Sequence, residues 1–173
     1  HKNLKYQVDT LLYGTHRPGI EIVIDHLHYN HDAFYNAPAS VKFHNNFRGG
    51  LARHSWEVYQ EAKAMYENLV KSGEKLSFGM DSIILCSLLH DVCKMDEYVI
   101  NKSGKPEHTR HYHGGNPHGM KSDRCLCRWH LSLNNDERNA IIWHMGDYAK
   151  DAMGEYNTTY KAVAASSKLV ELI

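Results

Sequence analysis

The stretch Asp81 to Lys94, DSIILCSLLHDVCK, is apolar for most of its length and ends in the adjacent pair His90-Asp91, with Lys94 one turn further on. A run of this kind reads as a helix buried on nearly all faces. It carries an imidazole and a carboxylate into the interior, where an unpartnered charge costs several kcal/mol. Two arrangements satisfy such a pair. Either it ends the helix and bonds to backbone, or a divalent cation takes a lone pair from each group. The rest of the chain decides between them.

At 173 residues the chain is expected to form a single domain, 1–173, with a core that needs neither disulfides nor a structural metal. Lys+Arg and Asp+Glu each total 20, so no basic field advertises long, non-specific tracking of polynucleotides. Cys86, Cys93, Cys125 and Cys127 fall inside helical patterns without the spacing of a zinc ribbon or finger. They are expected to be reduced, buried thiols of a cytoplasmic protein. No signal peptide, membrane-spanning run or repeat is evident. The 14 histidines are the unusual feature, and they are spread along the chain.

The spacing of Leu4, Val8, Leu11 and Leu12 predicts a helix over 3–13, and Ile20, Val23, Ile24 and Leu27 predict a second to about Tyr29. His26, His28 and His31 read as helix-terminal residues. Asp32 to Gly50 is rich in Asn, Pro and Gly and is expected to be irregular, entering the next helix through Gly49-Gly50. That helix, from Leu51 to about Val70, has the apolar stripe Leu51, Val58, Ala62, Met65 and Leu69, with His54 on the same face. After Lys94 a hairpin or long loop with a short strand at Tyr98-Val99-Ile100 is expected, its His108, His111 and His113 facing solvent. Asn116-Pro117 opens a helix that carries His118 inward with Ser122, Cys125 and Trp129. Asn134 or Asn135 caps the next, with Ala140, Ile141 and His144 on its inner face and a stop at Gly146. A last helix is expected from Thr158 to Ile173.

Each of these histidines alone is explained by a bond to backbone. Four of them on the core faces of four helices, beside one buried aspartate, point together to a metal centre. The residues around them carry a resemblance. Arg48-Gly49-Gly50-Leu51 with His54-Ser55 is similar to the Gly-Gly-Leu-x-x-His entry of HD-superfamily metal-dependent phosphohydrolases, and Leu89-His90-Asp91-Val92-Cys93-Lys94 to their His-Asp signature. His118-Gly119 resembles a downstream element of the exoribonuclease-like branch, and Trp143-His144-Met145-Gly146 stands where that branch has His-His-Gly, with Met145 in place of one histidine.

The resemblance implies an all-α HD-domain helical bundle, from about Pro18 to the C-terminus, with a hairpin or loop insertion after the His-Asp helix. It implies that His54, His90 and Asp91 hold one cation and that Asp91 bridges to a second held by His118 and His144. The ions would be Mn, Fe, Ni or Zn, with Mg a weaker match to imidazole donors. Asp91 and Lys94 would serve catalysis. His44, Arg48 and Lys94 would meet the substrate, a small phosphorylated molecule or short single-stranded nucleic acid, whose phosphomonoester or phosphodiester is cleaved by metal-activated water. Two other readings stand beside it: a mixed-valent di-iron oxygenase, and a degenerate HD module for binding or regulation. The family's closing aspartate is expected just beyond Ile173 in a truncated last helix, whose end should then aim at His54 and His90. The alternative register sets Ser167 in the aspartate's place.

Overall fold

The computed structural model describes residues 2–112, 118–146, 164 and 167–173. Its helices are α1 (Lys2–Gly14), α2 (Ile20–Asn36), α3 (Gly50–Lys71), α4 (Met80–Leu89), α5 (Lys94–Glu97), α6 (His118–Arg128), α7 (Asn135–Trp143) and α8 (Lys168–Leu172). Between α5 and α6 lie two short antiparallel strands, β1 (Tyr98–Ile100) and β2 (Pro106–His108), paired Tyr98 to His108 and Ile100 to Pro106. The architecture is an all-α bundle with one small hairpin, as the patterning predicts. Among the described residues no helix is long and apolar enough to cross a membrane.

The bundle is organised around α4. Residues Ser82 to Leu89 are buried without a break, so this helix has no solvent face. It lies against α3 most extensively, and also touches α1 and α7. Ile83, Leu85, Leu88 and Leu89 join Leu12, Leu27, Phe34, Leu51, Leu126, Ile141 and Leu169 in one core. Fully burying such side chains contributes roughly 1.5–3 kcal/mol each. The polar residues at the end of the helix, His90 and Asp91, are carried inward with it.

Two polar networks lock the periphery. Glu137, with a fully buried side chain, accepts from both terminal nitrogens of Arg17 at 2.7 Å, from Ser82 Oγ at 2.7 Å and from the Asn134 amide at 2.9 Å. Asn134 returns the last bond in a capping box, so one carboxylate starts α7 and ties it to α4 and to the turn after α1. In the second network His28 lies between Asp9 and Asp32, and Lys5 donates to Asp32. It pins an interruption in α2, where Tyr29 is extended and Asn30, His31 and Asp32 all have left-handed backbone. Left-handed backbone costs roughly 1–2 kcal/mol per residue, less for Asn and Asp.

Three expectations are corrected. Helical structure resumes after the interruption as far as Asn36, so the irregular segment is shorter than Asp32 to Gly50. The inner face of α3 is Leu51, Ser55, Tyr59 and Ala62, and Met65 is 47% exposed. The stripe is rotated because the first half of α3 meets the crowded end of the bundle, where a small Ser55 and a long Tyr59 fit. Of the four free cysteines only Cys86 and Cys93 are buried; Cys127 is exposed and Cys125 half-buried. Asn116-Pro117, His113 and half of the last predicted helix (158–163, 165 and 166) lie outside the described residues.

Candidate metal centre

The entry to α3 is set by glycine. Gly49 has a left-handed backbone (φ 83°), and a Cβ on Gly50 would lie 1.8 Å from the Asn45 carbonyl oxygen. Only a chain without side chains here can fold the preceding loop onto the head of α3, with Asn45 accepting from Ala39 N and Ala37 from Leu51 N. His54 follows one turn into the helix. His90 ends α4 and donates Nδ1–H to the Ser87 carbonyl at 2.8 Å; His144 ends α7 and donates Nδ1–H to the Ile141 carbonyl at 2.7 Å. Both bonds use a last-turn carbonyl that has no partner within its helix. The same device thus fixes both rings with a lone pair on Nε2.

Those lone pairs converge. His54 Nε2 and His90 Nε2 are 3.2 Å apart, and they lie 3.4 and 3.3 Å from Asp91 Oδ2. A point equidistant from the corners of so regular a triangle is about 1.9 Å from each in its plane, close to the roughly 2.0–2.2 Å of zinc-type bonds to nitrogen and oxygen. Across the carboxylate, His144 Nε2 faces Asp91 Oδ1 at 3.5 Å, too far for an effective hydrogen bond. Both atoms are buried without a hydrogen-bond partner among the described residues. Lone pairs facing lone pairs are an unmet demand, of the kind that a cation, a proton or a water meets. The donor set fits a divalent ion at His54, His90 and Asp91, with His144 toward the free oxygen of Asp91.

The electrostatics agree with that fit. Burial lowers the His90 pKa to about 4, an effect that nearby Asp91 only partly offsets, so the ring is neutral near pH 7, as a ligand must be. Burial pushes the Asp91 carboxyl up, but the charges of His90 and Lys94 and the facing His144 and His54 outweigh it, holding the group well below the usual carboxylate range. With His90 neutral near pH 7, the cation on Asp91 there is Lys94, whose Nζ is 2.6 Å from Oδ2.

The remaining predicted residues are placed as follows. His44 is exposed with its ring 5.3 Å from that of His54. Arg48 is exposed and lines a cleft of about 520 Å³ with Tyr29, Asn36, Tyr98 and Arg110. Gly119 brings α6 against the end of α7, where a Cβ would lie 2.3 and 2.4 Å from the carbonyl oxygens of Ile142 and Ile141. His118 stands beside that junction, with Nδ1 3.4 Å from Glu97 Oε2 and 3.9 Å from Cys93 Sγ, and Nε2 3.4 Å from Tyr98 OH. Ser167 is buried with no partner for Oγ among the described residues. Lys168, Glu171 and Leu172 of α8 line a cleft with Met65, Asn68 and Leu69, about three to four turns along α3 from His54.

Glu97 and Cys93, which the structure sets beside His118, are not among the site residues expected from the sequence; Cys93 is buried, as expected of a core thiol.

Similarity to known proteins is confined to part of the chain. One stretch matches a phosphodiesterase. Over 72 residues, 42% of this chain, it is 32% identical to the dihydroneopterin 2',3'-cyclic phosphate phosphodiesterase of Methanocaldococcus jannaschii, and the match spans 28% of that enzyme's length. No protein-family model and no solved structure matches the chain.

Proposed function

We propose that this chain is an HD-superfamily metal-dependent phosphohydrolase that cleaves a phosphomonoester or phosphodiester of a nucleotide or short oligonucleotide. The observation that carries the reading is the ring of potential ligand atoms His54 Nε2, His90 Nε2 and Asp91 Oδ2, with His144 opposite the unpartnered oxygen of Asp91. The partial similarity to a phosphodiesterase supports the reaction class. These four residues would hold the ion; when bound, it supplies a water of lowered pKa and Lewis-acid charge for the phosphoryl oxygens.

The chain's own groups do the rest. Ser87 and Ile141 carbonyls keep the His90 and His144 rings in the ligating tautomer. Asp91 stays ionised throughout the neutral range, and its burial beneath the ring keeps bulk water off the carboxylate. Lys94, 13% exposed, is within reach of charge developing on an equatorial phosphoryl oxygen. His44 stands beside His54 on the solvent side, and Arg48 lines a cleft of a size suited to a nucleotide, though none of the four ring residues lines it.

The test is turnover of bis-p-nitrophenyl phosphate, nucleotides and short RNA by protein purified with Mn(II). Asp91→Ala should lose metal and lower the rate by at least about 100-fold, more than the loss of an outer-shell partner typically costs. Zero turnover on every phosphoester with metal demonstrably bound would overturn the proposal. Oxygen uptake by the iron-loaded protein would favour the di-iron oxygenase.

A further inference from the structure

Beside the His54–His90–Asp91 ring is a second group of donors, built around His118, the residue that the resemblance would give to a second hydrolytic cation. Cys93 Sγ, Glu97 Oε2 and His118 Nδ1 lie within 4.8 Å of one another. Cys93 and Glu97 face the same way because they are four residues apart, across the turn that leads into α5 and along it. His118 arrives from the first residue of α6. Cys93 and Glu97 are only 4% and 5% exposed, and Glu97 Oε2 has no hydrogen-bond partner among the described residues although Lys121 donates to its other oxygen. A buried carboxylate oxygen aimed at an imidazole and a thiol is an unmet electrostatic demand.

We infer that Cys93, Glu97 and His118 form a binding site for a zinc-class divalent ion. Donors of one tetrahedral ion at zinc-type bond lengths are about 3.3–3.6 Å apart. His118 Nδ1 is 3.4 Å from Glu97 Oε2 and 3.9 Å from Cys93 Sγ, near those separations, and Sγ and Oε2 lie within 4.8 Å of each other. His118 Nε2 lies 3.4 Å from Tyr98 OH, a hydroxyl able to accept Nε2–H when Nδ1 is the ligating nitrogen. The thiol now donates to the His118 carbonyl at 3.5 Å; when sulfur bonds to the ion, that proton leaves to solvent. A cleft of about 420 Å³, lined by Cys93, Glu97, Lys121 and Cys125 among others, gives an ion access from outside. With three protein donors one position stays open. The ion would tie α5 and the hairpin to α6 and so hold the Gly119 junction beside His144. The site differs in donor chemistry from the nitrogen-and-oxygen ring at Asp91, and the inference does not rest on hydrolysis.

Cobalt(II) tests it, because only a thiolate ligand gives an intense near-ultraviolet charge-transfer band. Titrating the full chain should develop that band. Cys93→Ser should abolish it, whereas Cys127→Ser should leave it intact. His54→Ala should also leave it intact while lowering phosphoesterase activity, which separates this site from the hydrolytic one. Should Cys93→Ser not fold, X-ray absorption at the zinc edge of the wild-type protein should show a sulfur scatterer at about 2.3 Å. Bound cobalt without the band, a band that survives in folded Cys93→Ser, or a zinc shell of nitrogen and oxygen alone would overturn the inference.

Discussion

Replacing Glu137 with Gln should destabilise the fold by about 3 kcal/mol. The side chain is fully buried and accepts four bonds, two of them from one guanidinium. Gln keeps the shape and the carbonyl for the capping box, but turns an NH₂ group toward Arg17 or Ser82 and leaves the arginine without its counter-charge. Breaking a buried pair from one side costs about 3–5 kcal/mol, and the lower end applies because Arg17 is 20% exposed and regains some hydration. At roughly 2–4 °C per kcal/mol for a chain of this size, the midpoint should fall by about 6–12 °C in a circular-dichroism melt near pH 7. The pH dependence is the stricter test. Burial raises the Glu137 pKa, but Arg17 and Ser82 outweigh it, so the folded value lies below the ordinary 4.5. Its contribution is therefore complete above about pH 4.5 and lost as pH falls through the lower folded value. The gap between wild type and variant should narrow in acid. A gap under about 1 kcal/mol at neutral pH, or one unchanged at low pH, would refute the argument.

Gly119→Ala should cost about 1–3 kcal/mol, since its Cβ would meet two backbone carbonyls that no rotamer change can move. Gly14→Ala, with nothing within 4 Å, should be neutral or stabilising by up to about 1 kcal/mol; denaturant unfolding compares the two. Mn(II) at 100 times its dissociation constant should add about 2.7 kcal/mol of stability. That is a rise of about 5–11 °C in melting temperature. His54→Ala should lose most of it, and a wild-type midpoint indifferent to Mn(II) would count against the ring as a metal site.

Much of this was legible because it rests on local rules. The run from Ile83 to Leu89 read as a core helix, and Asn134, one of two candidate caps, is the cap, in a capping box with Glu137. His54 and His90-Asp91 could be singled out for the same reason: their faces follow from helical period. Pairings across long separations left no such trace. Nothing local marks Glu137 as the partner of Arg17, 120 residues away, and a charged residue in a first helical turn ordinarily faces water. The interruption of α2 escaped because its left-handed residues are held by Lys5, Asp9 and His28, through contacts that no dipeptide pattern encodes. The face of α3 was misjudged because period fixes which residues share a side, while Ser55 and Tyr59 were chosen by what lies opposite.

The contact between Lys94 and Asp91 has a consequence for the order of events. One ammonium cannot neutralise a buried carboxylate and a phosphate together: while Nζ sits 2.6 Å from Oδ2, its charge is already spent. If the proposed ion binds, it would take over Asp91 and release Lys94, whose 13% exposure leaves it room to swing outward. In the proposed enzyme the lysine would then act as an interlock, making affinity for a negatively charged molecule conditional on a loaded centre.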